Sequence, residues 1–398
     1  MHSLSTCWGQ LKSGKWIGRL ELQTDLFLPF DFERVEGVDK PYYIHNGTES
    51  ISMDIVLETE DSLILTFPNF KSNLFLTKQN NQTLCGYWLN YNKGSDYKIP
   101  CIIRYENKKT QINYSKSTVF NSKHVLPEKW EVTFDDGSGS TDKAIGLFHQ
   151  DKQKKLSGTF ATETGDYRFL TGHLFKDSLL LSCFDGAHAY LFLAKFKNST
   201  TVEGSFYSGK HWSTKWSGLV NETFELNHPD SITYLVDTSE FKFSSYHLDS
   251  TLFNFSAAEN NNQVTLIQLM GTWCPNCMDE SRYLQELYAK YHSEGLNIIA
   301  VAYEIENSFS NYKQNIERFK NKNEIEYLFT VGGKASKVLA SQQFPYLNKI
   351  SAFPTSIIID KKGNIRRIHT GFYGPSTGIY YENYTEKMEN LILQLLSE

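Results

Sequence analysis

Two cysteines at a spacing used in redox chemistry stand in the run Cys274-Pro275-Asn276-Cys277. The run follows a short apolar stretch, Val264 to Met270, and precedes one where Leu284, Leu287, Tyr288 and Tyr291 recur at helical spacing. Cys274 is therefore expected at a helix N-terminus, where free backbone N–H groups and the helix dipole favour a thiolate. Cys277 lies one turn further on, placed to attack a mixed disulfide formed by Cys274 and release its partner, so the pair can cycle between dithiol and disulfide. Two other uses compete, an inert structural disulfide and half of a zinc site. Zinc would need two more ligands, yet Cys7, Cys85, Cys101 and Cys183 are solitary and His292 has no companion at finger spacing. A peroxidase site would want a Pro and a Thr or Ser ahead of a lone reactive Cys, and Gly271 holds the place three residues before Cys274. Neither a metal nor a cofactor is expected.

The elements that must position this pair follow from periodicity. After about Phe241, strands alternate with helices: Leu296 to Ala302 and Tyr327 to Val331 read as strands, and Tyr312, Ile316 and Phe319 mark a helix between them. Ala335, Val338 and Leu339 mark a short helix, Thr355–Ile359 and Ile365–Thr370 a hairpin, and Met388, Leu391, Ile392 and Leu395 a closing helix. The expectation is an α/β domain with a mixed, helix-covered sheet over residues 241–398. Residues 16–228 read as all-β. Asp61-Ser-Leu-Ile-Leu-Thr-Phe, Asn73-Leu-Phe-Leu-Thr-Lys and Cys85-Gly-Tyr-Trp return about 115 residues later as Asp177-Ser-Leu-Leu-Leu-Ser-Cys, Tyr190-Leu-Phe-Leu-Ala-Lys and Glu203-Gly-Ser-Phe, with Trp16 matched by Trp130. That implies two tandem units, 16–118 and 119–228, of about six strands each. They form small barrels or sandwiches, or merge into one larger barrel. Residues 1–15 are expected as a tail and 229–240 as a linker.

Gly271-Thr-Trp273-Cys274-Pro-Asn-Cys277-Met-Asp-Glu280, with Phe353-Pro354-Thr355 ahead of the hairpin, resembles the thioredoxin fold and specifically the TlpA/ResA-like thiol-disulfide oxidoreductases of the bacterial cell envelope. The resemblance runs from about Phe241 to Glu398. It implies that Cys274 is the attacking thiol, Cys277 the resolving thiol, Glu280 the active-site acid and Pro354 the cis-proline facing the disulfide. It also implies that Trp273, Phe353 and Thr355 border bound substrate. Trp273 reads equally as a packing residue, and the plainer alternatives are a solvated helix-face residue for Glu280 and an ordinary strand-start proline for Pro354. Where thioredoxins proper carry a buried acid, this chain has Gln268, so any proton relay must use Glu280, water or Glu304. The run Gly371 to Gly378 would border the same site, as a substrate-selecting loop or a plain connector.

The 398 residues carry a net charge of −5 without long blocks of either sign, which argues against nucleic acid as a partner. No apolar run is long enough for a membrane-spanning helix. Leu4-Ser5-Thr6-Cys7 resembles the end of a lipoprotein signal, which would allow a lipid anchor; a cysteine in a frayed terminus is the plainer reading. Cys183, Asp185 and His188 invite a metal-site reading, although an Asp-Gly turn accounts for the same residues, and Cys85 with Cys101 read either as a disulfide or as two free thiols. The expected activity is reduction of protein disulfides in the periplasm or cell envelope, with electrons from a membrane thiol donor. The alternative is a ligand- or partner-binding envelope protein whose β units carry the main function. On the first reading those units are a scaffold, and residues 238–398 are expected to carry the intrinsic thiol reactivity alone.

Overall fold

The structure, a computed structural model, describes residues 11–106, 126–152, 155–260 and 262–398. Cys7 and the expected boundary at 118/119 lie outside the described residues. The chain divides into two compact units, one of residues up to Thr159 with Phe169–Phe224, the other of Phe160–Arg168 with Glu225–Glu398.

In the first unit, eight strands form a closed antiparallel meander: β1 (Gly14–Gln23), β2 (Leu26–Arg34), β3 (Tyr42–Asn46), β4 (Glu49–Glu58), β5 (Ser62–Thr66), β6 (Ser72–Asn80), β7 (Thr83–Asn90) and β8 (Lys98–Tyr105). Pairing of β1 with β8, from Trp16↔Tyr105 to Leu20↔Cys101, closes the barrel. The repeat follows as β9 (Lys129–Asp135), β10 (Thr141–Gln150), β11 (Lys155–Thr162), β12 (Gly165–Asp166), β13 (Leu170–Phe175), β14 (Ser178–Phe184), β15 (Ala189–Asn198), β16 (Thr201–Ser208) and β17 (Trp212–Val220). A β10–β11 pairing closes eight of these strands, leaving β12 as an addition. The two copies are thus separate barrels of eight strands rather than about six, and not one merged barrel. Inward residues alternate along strands such as β1, β2 and β9, and Trp16 and Trp130 occupy the matching core position in each barrel. The repeated Gly86 and Gly204 allow close strand approach, because a Cβ at either would fall 1.8 or 2.0 Å from the carbonyl oxygen of Phe75 or Leu193.

Two open readings in this unit are settled by geometry. The Asp185-Gly186 turn is structural: Asp185 Oδ1 accepts from the Ala187 and His188 N–H groups at 2.9 and 2.6 Å, while Asn46 and Ser72 of the first barrel bond to Phe184 and Gly186. The turn packs one barrel on the other, and Asp185 is held by the turn's own N–H groups, as the Asp-Gly turn reading has it. Cys85 and Cys101 are both free thiols. Cys101 shares its face of the sheet with Gly86, directly opposite, so Cys85 points to the other face and no disulfide can join them.

The second unit contains β18 (Lys242–Tyr246), β19 (Leu252–Ser256), β20 (Val264–Met270), α1 (Pro275–Tyr291), β21 (Leu296–Glu304), α2 (Phe309–Lys322), β22 (Leu328–Lys334), α3 (Lys337–Gln343), β23 (Thr355–Ile359), β24 (Ile365–Thr370) and α4 (Ile379–Ser397). Its sheet has the order β19-β18-β22-β21-β20-β23-β24, with β20, β21 and β22 parallel and β23 antiparallel to β20. Every residue of β20 is buried, as expected of a central strand covered on both faces. Ile267 and Leu269 join a core with Phe344 of the α3 end, and α4 packs against β20. Residues 229–240, expected as a linker, are built into this unit. Thr233 is fully buried and accepts from Thr370 Oγ1 at 2.8 Å, Leu235 bridges to Leu347, and Asp230 takes Arg367 Nε at 2.9 Å and His369 at 2.6 Å.

Candidate active site

The chain leaves β20 at Met270 and turns through Gly271-Thr272-Trp273 into α1. Cys274 is the N-cap residue of α1, in extended conformation, and Pro275 takes the first helical position, where a missing N–H costs nothing. Its Sγ accepts a hydrogen bond from the Cys277 N–H at 3.3 Å and lies 3.5 Å from the Phe353 carbonyl oxygen. The Phe353–Pro354 peptide bond is cis. Cys274 is 7% exposed and Cys277 fully buried. Burial, and then the neighbouring Cys274 thiol, push the Cys277 thiol well above its ordinary range. Trp273 donates its indole N–H to the Tyr303 carbonyl at 2.9 Å and meets Phe353 edge-on, while Phe353 stacks on Tyr303. Trp273, Phe353 and Tyr303 thus form an aromatic wall beside the sulfur. Thr355, expected to face substrate, is fully buried and donates its hydroxyl to the Ala352 carbonyl at 2.8 Å. It shapes the turn before β23.

Glu280 is fully buried beneath the pair, not on a solvated helix face. Its carboxylate accepts from Gln268 Nε2 at 2.8 Å, Ser356 Oγ at 2.8 Å and Tyr384 OH at 3.3 Å. Burial pushes the carboxyl up to about 7, against the pull of those three donors. Gln268, which marked the departure from thioredoxins proper, ties Glu280 to the redox turn: Nε2 also reaches the Cys277 carbonyl at 3.4 Å, and Oε1 accepts from Ser281 Oγ at 3.0 Å. Glu304, also pushed up to about 7 by burial, serves a different place. It accepts from Thr272 N–H at 3.0 Å, Thr272 Oγ1 at 2.7 Å and Asn315 Nδ2 at 3.2 Å, and so clamps the loop that leads into Cys274.

Gly371 N–H donates to the Pro354 carbonyl at 2.8 Å, so the Gly371–Gly378 run borders the site as expected. The sequence reading missed the hairpin Phe160–Arg168. Asp166 accepts from Gly374 N–H at 2.6 Å, Ser376 Oγ at 3.2 Å and, through its carbonyl, Asn276 Nδ2 at 3.3 Å. Arg168 and Asp279 form an ion pair, with Arg168 1% and Asp279 9% exposed. Ser356, Tyr384, Asp166 and Arg168 were unmarked because no short motif announces them. The one trace of the hairpin is Gly165-Asp166, a turn signal placed inside the repeat.

A CxxC at the N-terminus of the helix after the central strand, facing a cis-proline, defines a thioredoxin-fold redox domain. The Redoxin family profile matches residues 237–379, and this C-terminal region is similar in sequence to thiol-disulfide oxidoreductases of the ResA type. The chain is similar to the thiol-disulfide oxidoreductase ResA of Geobacillus thermodenitrificans, 26% identical over 36% of this chain and 67% of the relative. It is likewise similar to the sporulation thiol-disulfide oxidoreductase A of Bacillus subtilis, 25% identical over 32% of this chain and 70% of the relative. Among solved structures, a thiol:disulfide interchange protein of the thioredoxin family from Chlorobium tepidum aligns at 19% identity over 40% of this chain and 99% of its own, with a TM-score of 0.30.

Proposed function

We propose that the protein is a thiol–disulfide oxidoreductase that reduces protein disulfides in the bacterial cell envelope through Cys274 and Cys277, with electrons supplied by a membrane thiol donor. One observation carries the reading: the Cys274 sulfur sits at the α1 N-terminus, bonded by the Cys277 N–H at 3.3 Å and set beside the carbonyl that precedes a cis-proline. Relatives named as thiol-disulfide oxidoreductases support it.

In the forward step the Cys274 thiolate attacks one sulfur of a substrate disulfide and expels the other as a thiolate, which takes a proton from solvent, leaving a mixed disulfide. Cys277 then attacks Cys274 Sγ, releasing the second substrate thiol and closing the enzyme disulfide. Because the Cys277 thiol is held protonated by burial, this step needs a base. Glu280, titrating near neutrality and joined to the Cys277 carbonyl through Gln268, is the group placed to take that proton. The donor's dithiol returns two electrons and two protons, restoring both cysteines. Cys7 is where a lipid anchor would attach.

Insulin reduction by the full chain tests the reading. Cys274→Ser should abolish turnover, and Cys277→Ser should trap a mixed disulfide that survives denaturation. Turnover retained by Cys274→Ser would overturn it.

A further inference from the structure

We propose that the hairpin Phe160–Arg168 is a specificity-determining wall of the Cys274 site, restricting which protein disulfides reach the sulfur; the inference rests on the oxidoreductase reading above. The repeat shows that this segment is not needed to close a barrel. In the first copy Asn46 and Glu49 pair across the two residues Gly47-Thr48. In the second, the corresponding strands keep pairing only as far as Gly158↔Leu170, and the chain between them runs on into a hairpin of its own, with Ala161↔Asp166 and Thr162↔Gly165 paired.

The extra length contacts residues at the redox turn. The Asp166 carbonyl takes the side chain of Asn276, a residue that lies between the two cysteines. Gly165 approaches so closely that a Cβ there would fall 2.0 Å from Asn276 Nδ2. The Asp166 carboxylate holds Gly374 N–H and Ser376 Oγ, the loop whose Gly371 is bonded to the Pro354 carbonyl. Arg168 is paired with Asp279, two residues after Cys277, and both are buried. The sulfur of Cys274 therefore has the aromatic residues Trp273 and Phe353 on one flank and, beside Asn276, a polar hairpin fixed by hydrogen bonds and an ion pair. With only 7% of Cys274 exposed, a small disulfide can enter, whereas a disulfide within a folded protein must present a segment narrow enough to pass between. Selectivity of this kind is a difference built by excluding the wrong partner.

Replacing residues 159–169 by Gly-Thr, the turn the first barrel uses, removes the wall and leaves both cysteines, Glu280 and Pro354 in place. We expect kcat/KM for insulin to rise about fivefold or more while that for 5,5′-dithiobis(2-nitrobenzoate) stays within about twofold. Should the exchange not fold, Arg168→Ala/Asp279→Ala removes the latch without stranding a buried charge, and it should move the ratio the same way by about two- to threefold. In a folded variant, an unchanged ratio, or both rates falling together as a purely structural role would give, overturns the inference alone. A wild-type protein inert toward both disulfides overturns the oxidoreductase reading as well.

Discussion

At Glu280, burial and hydrogen bonding act in opposite directions, and burial wins: three donors reach the carboxylate, yet the group titrates at about 7. Glu304 behaves alike. An acid with a raised folded-state pKa keeps its proton while the unfolded chain releases its own near 4.5. The stability it contributes is therefore complete below about pH 4.5 and is lost as pH rises through about 7, by ~3 kcal/mol per group. Glu280→Gln and Glu304→Gln should each flatten the fall in unfolding free energy between these limits, read from denaturant melts at several pH values. Equal slopes in wild type and both variants would refute the burial argument. The two substitutions should differ in their effect on activity. Glu280→Gln should slow turnover about tenfold or more and change the pH profile of thiol alkylation, since it removes the carboxylate joined to the redox turn through Gln268. Glu304→Gln touches the loop before Cys274 and should leave that profile in place.

At the scale of elements, what could be read from the sequence depended on how cleanly each strand buries one face. Helices and strands from Val264 onward stood out because their apolar runs are long and their periods distinct, and the structure returns them within a few residues. In the barrels, β1, β2 and β5 alternate clearly, although β2 carries Pro29, whereas β4 exposes Ile55, Val56 and Leu57 around an irregular register and β14 buries its last four residues in succession. Such strands carry little pattern of their own and are held by their neighbours on both sides, so eight strands were counted as about six. Closure was equally hidden, since it is a pairing of the first strand with the last. The repeated tryptophans give a test of the barrel cores: Trp16→Ala and Trp130→Ala should each destabilise the first unit by about 3–5 kcal/mol, whereas Trp212→Ala, at a site 44% exposed, should cost under about 1 kcal/mol. Comparable losses at all three sites would contradict the assigned inward faces.

For the molecule as a whole, the expectation that residues 238–398 carry the thiol reactivity alone leaves out two sets of contacts. Asp279 is buried against Arg168, and residues 229–237 supply Asp230, Thr233 and Leu235 to the body that holds the thiols. Neither was legible, because both join residues more than a hundred positions apart. A buried ion pair stripped of one partner is costly, so Arg168→Ala should destabilise the second unit by about 3–5 kcal/mol and the added Asp279→Ala should recover much of that loss. An additive pair of losses in thermal melts would show that the two charges do not interact. Beneath all of this lies the assignment of the redox pair. It is tested most directly by titrating the full chain against glutathione or dithiothreitol buffers and trapping free thiols at each potential. We predict one reversible two-electron couple confined to Cys274 and Cys277, more reducing than strong oxidants near about −120 mV and absent from Cys274→Ser and Cys277→Ser. Two independent one-thiol transitions, or a couple that survives either substitution, would contradict it.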